Sequence, residues 1–206
     1  MVNRERELRV ILIGGSSHAG KTTVAQALAS RLSWQHISTD SLARHPGRPW
    51  RRKPQAVPEH VAEHYLSLSV DELIADVLRH YQRLWPHIES LITNHATDPS
   101  AERLILEGSA LWPEFVATLE LENVAAIWLT AGNPFFQTRI YHESHFAQAT
   151  EREQAMIQKF LARTQLYNEQ MMTAVSQHNL LSLNSETASS PEELAGRCLE
   201  FLHPLP

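Results

Sequence analysis

Apolar positions follow two rhythms along this chain. Short runs at Arg9 to Gly14, Leu104 to Leu106 and Val124 to Leu129 have the length and β-branched content of strands buried on both faces. Gln35 to Ser38 and Leu180 to Leu183 read as two shorter strands. Between them, apolar residues recur every three or four positions. Val24, Leu28 and Leu32 form one helical face, and Leu73, Ile74, Val77, Leu78, Tyr81, Leu84, Trp85, Ile88 and Leu91 form a long stripe.

Local chemistry marks where the helices begin. Ser69 with Glu72, and Thr150 with Glu153, have capping-box spacing, the second opening a helix to about Gln177. Asn133 and Pro134 predict an N-cap and first helical residue, and Ser190 caps the last helix. Pro86 predicts a kink in the long helix, Asp98 to Ser100 a turn, and Pro113 to Leu119 a short helix. Strands alternating with helices predict an α/β fold: a three-layer α/β/α sandwich on a mostly parallel five-stranded sheet.

The first strand runs into Gly15, Ser16, Ser17, His18, Ala19, Gly20, Lys21, Thr22 and Thr23. Gly15, Gly20, Lys21 and Thr22 satisfy G-x-x-x-x-G-K-[ST], the phosphate-binding loop, in the strand-turn-helix context that the motif requires. Glycine lets backbone N–H groups turn inward around phosphates, and the following helix adds the positive end of its dipole. Lys21, one of three lysines, would reach the β- and γ-phosphates, and the Thr22 hydroxyl would hold Mg²⁺.

Composition narrows the setting. With 206 residues, 43 % of them hydrophobic, the chain suits a single domain, 1–206. A net charge of −5 disfavours general binding to nucleic acid or membrane surfaces. One cysteine excludes an internal disulfide, and no apolar stretch approaches a membrane span or a secretory signal, so the expected location is the cytoplasm, as monomer or homodimer. Against this acidic background residues 44–58 hold four prolines and five Arg or Lys with no acid. Such a loop suits an anionic acceptor, with Arg44 and Arg48 as candidate contacts.

The phosphate loop, Ile37-Ser38-Thr39-Asp40 with Arg44 further on, and Leu106-Glu107-Gly108 followed by Pro113 together resemble the small P-loop kinases. The nearest pattern is the 2-phosphoglycerate kinase-like group, with nucleotide kinases and zeta-toxin-type kinases as wider relatives. The resemblance implies ATP and Mg²⁺ as cofactors, a helical substrate region over about 41–100 and a lid over about 133–165. It also implies Arg139 as a lid arginine, with Arg163 able to enter the same space.

Phosphoryl transfer needs positioning and charge compensation, so Lys21, Asp40, Arg139 and Arg163 are the expected catalytic residues. Asp40, at a strand end, would activate or orient the acceptor hydroxyl; Glu107, at another, would bind metal-bound water or substrate. The bland alternatives are a helix cap for Asp40, a polar strand terminus for Glu107 and solvated helix arginines. His60, Glu63 and His64 fit H-x-x-E-H on a helix, but no third zinc ligand follows by spacing. The expected function is an ATP- and Mg²⁺-dependent kinase acting on a small, anionic metabolite. Its rivals are a non-catalytic nucleotide-binding module, against which the missing N-K-x-D motif speaks only for GTP, and a nucleic-acid end kinase.

Overall fold

A computed structural model describes residues 7–43, 47–51 and 55–202. Its centre is β1 (Val10–Gly15), whose first four side chains are wholly inaccessible. Burial on both faces is what a continuous apolar run demands, and the sheet meets it by placing β1 in the middle. The order is β2-β3-β1-β4-β5, with β2 (Gln35–Ser38), β3 (Leu104–Glu107), β4 (Val124–Thr130) and β5 (Leu181–Asn184). Every pairing is parallel, sharpening the expected mostly parallel sheet.

Among the described residues seven α-helices cover the faces: α1 (Lys21–Leu32), α2 (Glu59–Ser67), α3 (Val70–Thr97), α4 (Pro113–Val116), α5 (Asn133–Glu143), α6 (Glu151–Gln177) and α7 (Pro191–Leu202). Two apolar clusters separate at the sheet. One packs Val24, Leu28, Phe136, Ile140 and Phe160 against Ile11 and Ile13, and the other packs Ile88, Ile92, Trp112 and Met171 against Val10 and Leu12. Both capping boxes form, at Ser69 and Thr150. The Glu193 N–H donates to the Ser190 hydroxyl at 3.1 Å, the bond expected at the start of α7.

One local expectation is corrected. The N-cap of α5 is Gly132, not Asn133, because Gly132 holds an extended conformation and Asn133 is already helical, with Pro134 next. Pro86 lies inside α3, which runs as one helix over 28 residues. Among the described residues no helix is long and apolar enough to cross a membrane.

Candidate functional site at the carboxyl ends of the strands

Parallel strands bring their following loops to one end of the sheet, and a cleft of about 450 Å³ opens there. Its floor is the phosphate loop. His18 and Gly20 take positive φ, 66° and 95°, which turns the loop sharply before α1 begins at Lys21. The loop is fastened from outside: the Ser16 hydroxyl donates to the Thr164 carbonyl of α6 at 2.9 Å, and the Ser185 hydroxyl to the Ala19 carbonyl at 2.7 Å. Lys21 is buried, and its Nζ donates to the Ser16 carbonyl oxygen at 2.8 Å. Burial pushes the Lys21 pKa down, while the carboxylates of Glu107 and Asp40 pull it back up.

Glu107 closes β3 beside this loop. Its buried carboxylate accepts from the Thr22 hydroxyl at 3.1 Å, and His36 Nε2 stands 3.9 Å away. A hydroxyl and a carboxylate are hard oxygen donors, and Mg²⁺ commonly takes one or two protein oxygens and completes its shell with phosphate and water. Thr22 and Glu107 therefore fit Mg²⁺. Asp40 follows β2 on a single 3-10 turn, Thr39–Ser41, exposed and lining the cleft.

The predicted arginines converge on the same cleft by different routes. Arg139 of α5 lies over the Phe135 ring at 4.3 Å and donates to the His18 carbonyl at 3.4 Å, so it rests on the phosphate loop. Arg163 of α6 lines the cleft from a packed position. It is 9 % exposed, held between the rings of Phe160 at 4.7 Å and Tyr65 at 5.7 Å, and donates to the Tyr65 hydroxyl at 3.0 Å. Tyr65 in turn donates to the Gly47 carbonyl at 2.6 Å. Arg48 also lines the cleft, whereas Arg44 lies outside the described residues.

One cleft residue had no sequence signal. Glu143, near the end of α5, reads as an ordinary solvated glutamate, yet it faces the cleft, pairs with Arg48 and accepts a hydrogen bond from His18 Nε2 at 2.8 Å. The His18 side chain is 4 % exposed and packs against Trp50 and Phe160, and desolvation lowers its pKa to about 4. The imidazole is therefore neutral, with its proton on Nε2 facing the carboxylate. Tyr81, assigned by its spacing to the core stripe of α3, also reaches the cleft. Among the described residues no three His, Cys, Asp or Glu side chains group to hold a metal.

No family model and no curated protein matches the chain. Solved structures do. The chain is similar to a shikimate kinase from Acinetobacter baumannii in complex with shikimate, at 16 % identity and TM-score 0.51, covering 95 % of this chain and 93 % of that one. It is similar to a gluconokinase from Sinorhizobium meliloti 1021 at 18 % identity and TM-score 0.51, covering 96 % and 97 %. This is the fold of the P-loop kinases. At such identities the likeness establishes architecture, and the P-loop kinase fold places the cleft where β1 meets α1.

Proposed function

We propose that the protein is an ATP- and Mg²⁺-dependent kinase that transfers the γ-phosphoryl group to a hydroxyl of a small, anionic metabolite. One observation carries this reading: a buried lysine, tied to its own loop by Ser16, lies at the floor of a cleft also lined by Asp40, Glu107, Arg139 and Arg163. The kinases that share the fold are named for the small metabolites shikimate and gluconate.

Lys21 is stored in a bond that it can exchange. On nucleotide binding its Nζ leaves the Ser16 carbonyl for phosphate oxygens, which supply the counter-charge that burial lacks. Thr22 and Glu107 would hold Mg²⁺, which would supply positive charge to the phosphates. A smaller cavity of about 120 Å³ between Thr23, Arg139, Ser185 and Ala188 lies beside the loop and would take the base. Asp40 accepts the proton of the acceptor hydroxyl as its oxygen attacks phosphorus. Arg139, seated on the loop, meets the charge that develops on the transferred oxygens. Closing α5 over the cleft excludes water and limits hydrolysis.

The test is transfer from γ-labelled ATP, with Mg²⁺, to a broad panel of hydroxylated metabolites. Labelled product with the native chain and loss of it with Lys21→Ala supports the reading. ATP binding without transfer, unchanged by Lys21→Ala, overturns it.

A further inference from the structure

The described part of the cleft holds four cations, Lys21, Arg48, Arg139 and Arg163, and three carboxylates, Asp40, Glu107 and Glu143. They divide by position. Lys21 and Glu107 sit with the phosphate loop, and Arg139 rests upon it. Arg48 is already balanced, because Glu143 forms an ion pair with it while His18 fixes the carboxylate from the other side.

Arg163 differs. It is nine-tenths buried, its one hydrogen bond goes to a neutral phenol, and among the described residues no carboxylate pairs with it. It borders Val77, Tyr81 and Ser109, on the side of the cleft away from the proposed base cavity. A buried guanidinium without a counter-ion is costly unless a ligand supplies one.

Building on the kinase reading, we propose that Glu143 is a specificity-determining residue: it cancels Arg48 and, of the described cleft cations, leaves Arg163 uncompensated on the acceptor side, and so selects small hydroxycarboxylates over phosphomonoesters. A carboxylate brings one negative charge in a plane that a guanidinium fork matches bidentately. A phosphomonoester brings nearly two charges at neutral pH, one more than Arg163 balances, and meets the like charge of Glu143. The proposal runs against the phosphorylated acceptor that a 2-phosphoglycerate kinase-like chain would take.

The experiment compares kcat/KM for transfer to glycerate and gluconate with that for glycerol 3-phosphate and glucose 6-phosphate. The native chain is expected to favour the carboxylates. Glu143→Gln keeps an oxygen for His18 but frees the charge of Arg48, and should shift the ratio about tenfold or more toward the phosphomonoesters. Arg48→Gln, on the half-exposed partner, leaves Glu143 unbalanced and should shift it the opposite way, which keeps the test intact if Glu143→Gln fails to fold. Native preference for phosphomonoesters, or a ratio unmoved by either substitution, overturns the proposal while leaving the kinase reading standing. If ATP binds and none of these four acceptors is labelled, this proposal falls, while the kinase reading is decided by the broad panel.

Discussion

Lys21 and Ser16 are joined across the phosphate loop by a hydrogen bond of 2.8 Å between Nζ and the carbonyl oxygen, in a setting where the lysine is only 8 % exposed. The loop is thus tied across by the residue proposed to meet the phosphates. Lys21→Ala should lower kcat by about 10²–10³, the usual result of removing one preorganised donor. Because the substitution also removes a desolvated charge, the melting temperature should change little. Steady-state kinetics and a thermal melt check the two halves.

Thr22 and Glu107 predict a metal phenotype. Glu107→Gln keeps the side-chain shape and the Thr22 contact but removes the charge. The Mg²⁺ concentration for half-maximal transfer should rise about tenfold or more, as happens when a metal-holding group is weakened. Activity titrated against Mg²⁺ at fixed ATP would show it; an unchanged midpoint removes Glu107 from the metal site.

His18 predicts a loss of stability in mild acid. Its folded pKa, about 4, lies below the ordinary 6.5, so between those values the unfolded chain binds a proton that the folded chain does not. Stability from this group is complete above about pH 6.5 and falls as pH drops toward about 4, by on the order of 3 kcal/mol. Urea unfolding across this range should show the slope, and His18→Gln should flatten it.

Arg139 and Arg163 should separate kinetically. Arg139→Ala is expected to lower kcat with the acceptor KM nearly unchanged, since its guanidinium rests on the loop at the His18 carbonyl. Arg163→Met should chiefly raise the acceptor KM, by about tenfold or more, because a lost ion pair weakens ground-state binding.

Gly108 joins β3 to the site with almost no room. A Cβ there would lie 1.7 Å from Thr39 Oγ1, at φ +154°. Gly108→Ala should cost about 2–4 kcal/mol through overpacking and backbone strain. Thr39→Ala should recover part of that in the double variant, as measured by a thermodynamic cycle.

Much of the architecture was legible because it is local. The apolar run of β1, the glycines and Lys21 lie within sixteen residues and specify strand, turn and helix among themselves. Capping boxes at Ser69 and Thr150 are equally self-contained, since both partners lie within one turn. Asp40 and Glu107 could be placed at strand ends, and parallel pairing then put both beside the loop. The cap of α5 was misread by one residue because Asn before Pro is a strong signal and glycine at an N-cap a weak one.

Sequence alone determined the alternation of strands and helices, the phosphate loop and the acids that end the strands, since each depends on neighbours a few bonds away. Only the tertiary structure decided that Glu143 meets His18 across 125 positions and Arg48 across 95, and that Arg163 is clasped by Tyr65 across 98. Contacts of that span carry no periodicity or spacing. They arise when strand order and helix packing bring distant side chains into one cleft, where polar groups that lose water gain protein partners.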